Sequence, residues 1–199
     1  MGQSSYRFAY RELAEALCAA LANDPFYITL ERHSTGSEGL LKYLDYSMLE
    51  AREYGELLVP QRHQYGVSLW LKPLDADRAA MMKAAKRQFL IEHLGESAEQ
   101  VYQKMVDSMA VRSAQVVDDV YWYLSIVGIL PEHQGQGLGP DLINPVLART
   151  DDLGVPTYLE TFTPRNHRFY QRLGYRVAAG FDEPITGAAY SVMTRSPVS

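Results

Sequence analysis

Three glycines in alternate positions, Gly135, Gly137 and Gly139, follow an apolar stretch and precede a helical pattern. Glycine lacks a Cβ and adopts positive φ readily, so successive backbone N–H groups in such a turn can converge on one point. The N-terminus of the following helix adds partial positive charge. This segment predicts a backbone site for a di- or triphosphate group.

Two nucleotide motifs compete for this turn. A dinucleotide-binding fingerprint requires Gly-x-Gly-x-x-Gly, and Pro140 stands where its third glycine would be. Glu160, about twenty residues further on, keeps that interpretation open, because an acidic residue at this distance binds a ribose in such proteins. A Walker loop is excluded, since no Gly-Lys-Ser/Thr follows. A glycine-rich connection without a ligand is the remaining alternative.

A second segment with chemically useful side chains, Leu159-Glu-Thr-Phe-Thr-Pro-Arg-Asn-His-Arg-Phe-Tyr-Gln-Arg-Leu-Gly-Tyr175, follows the turn. Together with Gln134-x-x-Gly-x-Gly139, its Phe-Tyr and Leu-Gly-Tyr elements resemble the GCN5-related N-acetyltransferase (GNAT) family. The resemblance covers residues 120–178 well and the rest loosely. Within the family, the His-Gln-Gly-x-Gly-Leu-Gly turn and the Pro-Arg-Asn before Phe-Tyr are similar to small-molecule acetyltransferases of the puromycin N-acetyltransferase type.

The resemblance implies an α/β fold, with one GNAT-type domain over residues 1–199 and a mixed, splayed central sheet flanked by helices. Residues 1–115 would form mainly the acceptor side, and residues 120–178 would form the core that binds acetyl-CoA as a co-substrate. The pyrophosphate would lie on the glycine turn, and the pantetheine arm would pair with the backbone of the preceding strand. The residues so implied are Ile129, Leu130, Gln134, Gly135, Gln136, Gly137, Leu138, Gly139, Asn166 and Tyr170.

Two of these residues carry further expectations. The backbone N–H near Leu130 is expected to stabilise the oxyanion that develops at the thioester carbonyl. Asn166 is either a cofactor ligand or the N-cap of the helix that contains Tyr170.

The resemblance also implies catalytic roles. Tyr170 occupies the family's position for the general acid that protonates the departing thiolate. The attacking amine must lose a proton, because an alkylammonium of pKa about 10 is charged at neutral pH. Tyr123 and Ser125 stand at the family's base positions and share one strand face by alternation, but neither is a natural base. We therefore expect Glu160 to accept the proton, directly or through water.

The expected reaction is acetyl transfer from acetyl-CoA to the primary amine of a small molecule, by direct attack in a ternary complex. No covalent acyl-enzyme is required. Tyr27, Tyr123 and Ser125 are the expected acceptor-binding residues, and other aromatic candidates are Phe26, Tyr43, Tyr46 and Trp70. Two alternatives stay open: a module that senses acyl-CoA without catalysis, and acetylation of a protein lysine or N-terminus.

Composition limits the other functions. A net charge of −5 and a pI near 5.5 argue against binding to nucleic acid or to an anionic membrane, which both need basic surface. No apolar run approaches the roughly 20 residues that span a bilayer. The single cysteine, Cys18, excludes an internal disulfide, and the first residues lack a secretory signal. We expect a cytoplasmic protein without a metal site, and a homodimer is compatible with the sequence.

Hydrophobic periodicity then predicts the elements that position these residues. Helices are expected over residues 9–22, ended by Asn23-Asp-Pro25, and over 38–53, followed by a strand over 65–71. Two helices separated at Gly95 are expected between residues 75 and 115. Next come a strand over 121–130, a helix to about 153 with a kink or restart at Pro145, a strand over 156–161, a helix over 166–172, and strands near 175–181 and 188–194. The strand that normally opens the family's fold would fall on residues 4–8 and would be short or absent.

Overall fold

The alternating apolar residues of the second half of the chain form strands of one mixed sheet. The computed structural model describes residues 6–60 and 65–198, and the six strands found there pair in the order β1-β2-β3-β4-β6-β5. They are β1 (Gly55–Leu58), β2 (Gly66–Leu71), β3 (Trp122–Ile129), β4 (Thr157–Thr161), β5 (Arg176–Glu183) and β6 (Ala188–Arg195). Of these pairs, β3 and β4 are parallel and the others are antiparallel. The predicted α/β fold with a mixed sheet in a single domain is confirmed.

Seven α-helices in the described part of the chain surround this sheet. They are α1 (Arg11–Ala20), α2 (Pro25–His33), α3 (Gly39–Tyr54), α4 (Ala76–His93), α5 (Glu96–Ser113), α6 (Gly139–Asp152) and α7 (His167–Arg172). The predicted break at Gly95 is present, but α6 continues through Pro145 and does not restart there. Within the described ranges, no helix is both long and apolar enough to cross a membrane.

The helix α2 is absent from the predicted elements, in which Asn23-Asp-Pro25 only ends α1. The Asp24 side chain accepts a hydrogen bond from the Phe26 N–H at 2.9 Å and so caps the new helix. Pro25 occupies the first helical position, where its missing N–H has no partner to lose. The residues that end α1 therefore also begin α2, and α2 carries Phe26 and Tyr27 toward the site.

The start of the sheet also differs from the expectation. The strand β1 follows α3 directly and pairs with β2 from Gly55↔Leu71 to Leu58↔Ser68, which no sequence pattern indicated. Residues 6–10 form no strand, and the remainder of the predicted opening strand lies outside the described residues. The described sheet therefore begins at β1.

β3 and β4 separate along their length, which gives the predicted splay. Their parallel pairing runs from Trp122↔Thr157 to Leu124↔Leu159. Beyond that point β3 stays paired with β2, and β4 stays paired with β6. The gap between the two strands therefore opens at Ser125 on one side and Glu160 on the other.

A β-bulge lies at the mouth of this gap. Leu69 is opposite Ile126 while the next residue of β2, Trp70, is opposite Leu124, which leaves Ser125 as an extra residue in β3. A bulge bends its strand and changes the direction of nearby side chains. In agreement, Ile126 packs with Leu69 in one core and Leu124 packs with Trp70 in the other. Simple alternation therefore does not hold across Ser125, and it does not by itself place Tyr123 and Ser125 on one face.

The connection between β2 and β3 is far longer than their pairing requires. Two residues are enough to join antiparallel neighbours, whereas residues 72–121 separate these strands and contain α4 and α5. Apolar residues of both helices, including Leu90 and Met105, pack into the same core as α1, α2 and α3. This helical insertion therefore builds a wall over one face of the sheet, next to the gap between β3 and β4.

Candidate active site

The loop between β3 and α6 contains the glycine turn. Gly135 and Gly137 have φ of 75° and 77°, and a Cβ at either position would meet no atom within 4 Å. Glycine is therefore required there by conformation rather than by crowding. The N–H groups of residues 135–139 donate no hydrogen bond to the backbone of another described residue. Free donors at the N-terminus of α6 fit a diphosphate group.

Gly139 has a different role. A Cβ at this position would lie 2.7 Å from Cε2 of Phe169, which is closer than real contacts allow. The first turn of α6 therefore packs directly against α7. This contact holds the glycine turn beside the segment that contains Tyr170.

Two glutamine side chains of the turn donate hydrogen bonds to nearby backbone carbonyls. Nε2 of Gln134 donates to the Ile129 carbonyl at 3.0 Å, and Nε2 of Gln136 donates to the Glu132 carbonyl at 2.8 Å. Gln134, Gly135, Gly137, Leu138 and Gly139 line a large cavity, and Gln136 is not among its lining residues. The side chain of Gln136 therefore supports the turn from outside the cavity.

The backbone of β3 shows which peptide groups face the gap. The Leu130 N–H donates to the Tyr65 carbonyl at 2.9 Å and so points toward β2. Bonded and non-bonded pairs alternate along an antiparallel ladder, so the peptide groups of Ile129 and Val127 point the opposite way, into the gap. The Leu130 N–H itself is already bonded and Leu130 does not line the cavity, so of the N–H groups near Leu130 it is that of Ile129 that can reach an oxyanion in the gap.

Glu160 lies on β4, immediately after the last parallel pair, and lines the cavity. Its Oε1 accepts a hydrogen bond from the Ser113 hydroxyl, and its Oε2 accepts one from the Tyr123 hydroxyl at 3.0 Å. Burial raises the pKa of Glu160, although both hydrogen bonds oppose that shift. A buried carboxyl group with a raised pKa is suited to accept a proton near neutral pH.

Tyr123 and Ser125 both line the cavity on β3. The Tyr123 ring stacks on Tyr158, with centroids 4.6 Å apart, and its hydroxyl is bonded to Glu160. The Ser125 hydroxyl donates to the Leu69 carbonyl at 3.1 Å. Both hydroxyl protons are therefore directed to acceptors within the chain.

Tyr170 on α7 lines the same cavity as the glycine turn and Glu160. Its ring packs between Phe169 and Tyr175, with centroid distances of 5.0 and 6.0 Å. Burial, with a smaller contribution from the Asp24 carboxylate, raises the pKa of Tyr170. The phenol therefore keeps its proton at any neutral pH.

The residue before α7, Asn166, occupies the N-cap position, but its side chain makes no capping hydrogen bond. It lines the cavity. The geometry thus gives no support to the capping alternative.

The whole cavity has a volume of about 950 Å³ and reaches from the glycine turn through the gap to the helical insertion. Of the expected aromatic residues, Phe26, Tyr27 and Tyr43 line it, and Tyr46 and Trp70 do not. Trp70 is fully buried, and its Nε1 donates to the Ser68 hydroxyl at 3.1 Å.

A buried ion pair marks the end of the cavity that lies away from the turn. Nζ of Lys86 on α4 is 2.8 Å from Oε2 of Glu50 on α3, and each side chain is 8% exposed. The ammonium also lies 4.8 Å from the ring centroids of Tyr43 and Tyr46. Burial lowers the pKa of Lys86, but the charge and hydrogen bond of Glu50 together with the phenols of Tyr43 and Tyr46 outweigh burial, so the pKa is raised and Lys86 stays charged. Nothing in the sequence pattern distinguished these two residues from solvent-facing charges.

Comparison with known proteins agrees with this fold. Residues 104–177 match the family model for the acetyltransferase (GNAT) domain. A protein of Schizosaccharomyces pombe, named as an uncharacterized N-acetyltransferase, is 28% identical over 176 residues, which cover 83% of this chain and 70% of that protein.

Solved structures resemble the chain over nearly its full length. A histone acetyltransferase HPA2 and related acetyltransferase from Corynebacterium glutamicum gives a TM-score of 0.66 at 21% identity, covering 96% of this chain and 92% of that one. Arylalkylamine N-acetyltransferase 2 from Aedes aegypti gives 0.61 at 14% identity, covering 96% and 98%. Polyamine N-acetyltransferase from Drosophila melanogaster gives 0.60 at 16% identity, covering 94% and 93%. At these identities the likeness concerns the fold.

The fold and the matched domain together define an N-acetyltransferase. Residues 104–177 match the acetyltransferase (GNAT) domain, as the glycine turn and the Phe-Tyr segment indicated.

Proposed function

We propose that the protein transfers the acetyl group of acetyl-CoA to the primary amine of a small molecule, by direct attack within a ternary complex. One observation carries this proposal. The free N–H donors of the glycine turn, the carboxyl group of Glu160 and the phenol of Tyr170 all border a single cavity. A phosphate site, a base and an acid are therefore available to acetyl-CoA and to an amine that are bound in this cavity.

Acetyl-CoA, when bound, supplies an acyl group that is activated as a thioester. The N–H groups of residues 135–139 would hold its pyrophosphate, with Gln134 at the start of the glycine turn. The Ile129 N–H and the N–H and carbonyl of Val127 face the gap and are available to pair with the pantetheine amides, whereas the Ile129 carbonyl already accepts from Gln134. Asn166, which lines the cavity near α7, is a further candidate contact. Residues 120–178 would thus form the donor-binding core of one domain over 1–199, and residues 1–115 mainly the acceptor side.

Glu160 acts as the general base. It takes a proton from the acceptor ammonium, directly or through water, and so produces the neutral amine that attacks. Its raised pKa brings it closer to the pH at which it works, which favours proton transfer in both directions of the cycle. Tyr123 and Ser125 lie beside it and line the acceptor's path rather than act as bases, since their protons are directed elsewhere.

Tyr170 acts as the general acid. Its hydroxyl stays protonated and provides the proton, or a strong hydrogen bond, to the sulfur that leaves. The contacts of its ring with Phe169 and Tyr175 fix its direction.

Three observations support a small amine as the acceptor. The cavity volume falls within the range of roughly 300–1,000 Å³ that is typical of small-ligand sites. Basic and acidic side chains both line it, and of the carboxyl groups Glu160 lies at the gap between β3 and β4, where it can contact an ammonium group. Two of the proteins with a similar fold are named for arylalkylamine and polyamine substrates. A homodimer and a cytoplasmic location stay predictions.

The proposal is tested by the release of free thiol from acetyl-CoA over a panel of amines, with mass spectrometry of the products. The panel contains arylalkylamines, polyamines, aminonucleosides including puromycin, and peptides with a free N-terminus or lysine. We expect acetylation of small amines and little acetylation of peptides. Thiol release with peptides alone would replace the proposal by protein acetylation. Coenzyme A binding without any thiol release would favour a sensing module, and the absence of coenzyme A binding would remove both interpretations.

A further inference from the structure

The hydroxyl of Ser113 makes an uncommon choice of hydrogen-bond partner. Serine in or next to a helix can bond back to the carbonyl four residues earlier, and two serines of the described residues do so: Ser34 donates to the Leu30 carbonyl and Ser47 to the Tyr43 carbonyl. Ser113, the last residue of α5, instead donates to Oε1 of a residue 47 positions away on β4.

The backbone around Ser113 is held in place by hydrogen bonds. Its carbonyl accepts hydrogen bonds from the N–H groups of Val116 and Val117, both at 2.9 Å, which holds the turn after α5 in place. The residue is only 6% exposed. A serine held in this way at the end of a helix offers one hydroxyl proton, and that proton goes to the carboxyl group that borders the cavity.

The other groups around this carboxyl group do not replace Ser113. Tyr123 on β3 donates to Oε2. Tyr158 on β4 and Tyr190 on β6 are also near: burial raises the pKa of both phenols, and the charge of Glu160 raises it further. None of these is a cation. Within the described residues, the ionised form of Glu160 therefore depends on two hydroxyl donors, of which Ser113 is the one that the acceptor-side insertion supplies.

We propose that Ser113 is a positioning residue that keeps the Glu160 carboxylate ionised and oriented toward the cavity. The inference rests on the proposed function for its catalytic meaning, because Glu160 is the base there. The long connection between β2 and β3 then has two roles, since α5 both forms a wall of the acceptor cavity and completes the hydrogen bonding of the base.

The first measurement is a titration of Glu160 without any substrate, by ¹³C NMR of carboxyl-labelled glutamate, with the resonance assigned by its loss in Glu160→Gln. Removing one hydrogen bond to a charged group should raise the pKa by about one unit in Ser113→Ala. Ser113→Thr keeps the hydroxyl and should titrate as the unmodified protein does. Ser108→Ala is the matched control, because it removes a hydroxyl on the same helix that contacts Arg112 and not Glu160.

The second measurement is the pH dependence of kcat/KM for acetyl transfer. Its acidic limb should move upward by the same amount in Ser113→Ala and stay in place in Ser113→Thr and Ser108→Ala. If Ser113→Ala does not fold, Ser113→Cys, a weaker donor of similar size, should give an upward shift of smaller size.

A titration of Ser113→Ala, or of Ser113→Cys, that superimposes on that of the unmodified protein would overturn the inference. An equal shift in Ser108→Ala would overturn it as well, because the effect would then be general to α5. The carboxyl titration needs no turnover, so it remains informative even if no amine is acetylated. Absence of turnover alone would count against the proposed function and not against the hydrogen bond.

Discussion

Replacing Glu160 with glutamine gives the most informative perturbation of the site. The amide keeps the shape of the side chain, and the hydroxyls of Ser113 and Tyr123 can rotate to accept from its NH₂ or donate to its oxygen. The substitution therefore removes the base and leaves the packing. General base catalysis contributes typically 10²–10⁴-fold, so kcat should fall by roughly that factor. Affinity for coenzyme A should change little, because Glu160 lies away from the glycine turn.

The same substitution should raise stability at neutral pH. Burial raises the pKa of Glu160, so the folded protein binds this proton more tightly than the unfolded chain does. The ionised carboxyl group therefore costs folding free energy, and that cost grows as the pH rises from the unfolded pKa, about 4.3, through the raised folded pKa. Glutamine does not titrate. The Tm of Glu160→Gln should exceed that of the unmodified protein at neutral pH, and the difference should shrink as the pH falls.

A matched control is available at Glu183, which is fully buried and does not line the cavity. Its Oε2 accepts from the N–H groups of Ile185 and Thr186 at 2.9 and 2.6 Å. Glu183→Gln weakens these bonds and should lower Tm with little change in kcat. Thermal unfolding and thiol release, each over a pH series, distinguish the two variants. Less than about a tenfold loss of kcat in Glu160→Gln, or a loss of both kcat and Tm, would refute Glu160 as a buried base.

Three further outcomes follow from other contacts. Tyr170→Phe keeps the ring packing and removes the phenolic proton, so kcat should fall by about 10²-fold or more. The Kd for coenzyme A, measured by calorimetry, should not change. An equal loss of turnover and of coenzyme A affinity would assign Tyr170 to binding. Gly139→Ala places a methyl group against Phe169 and should lower the free energy of unfolding, measured in urea, by about 1–3 kcal/mol. Adding Phe169→Leu should recover part of this loss, and no recovery would contradict the contact. Lys86→Met leaves the Glu50 carboxylate buried and unpaired, which should lower the free energy of unfolding by about 3–5 kcal/mol. Adding Glu50→Leu should restore most of the midpoint of urea unfolding. If Lys86→Met alone were as stable as the double variant, Glu50 would not be a charge that Lys86 pairs.

The sequence predicted the parts of the site that lie in continuous motifs. The glycine turn, Glu160 and Tyr170 fall within two segments whose residue types and spacing are informative by themselves, and all three border one cavity. The long periodic helices α4 and α5 were predicted with their break at Gly95, because a glycine between two regular patterns is a strong local signal.

Features that depend on pairing between distant segments were not predicted. Which N–H group near Leu130 faces the gap could not be predicted, because the direction of each depends on the register with β2 and on the bulge at Ser125. The hydrogen bond from Ser113 and the ion pair between Lys86 and Glu50 join separate elements, and in the sequence each member is an ordinary polar residue of a helix. Only the packed chain makes them neighbours.

The central claim is that the free N–H donors of the glycine turn bind the pyrophosphate of coenzyme A, and amide NMR of ¹⁵N-glycine-labelled protein tests it most directly. On addition of coenzyme A, the signals of Gly135, Gly137 and Gly139 should shift. Those of Gly154 and Gly187, which also have positive φ and open surroundings, should not. Unmoved signals at the turn with coenzyme A in excess, or equal shifts at the two control glycines, would contradict the account.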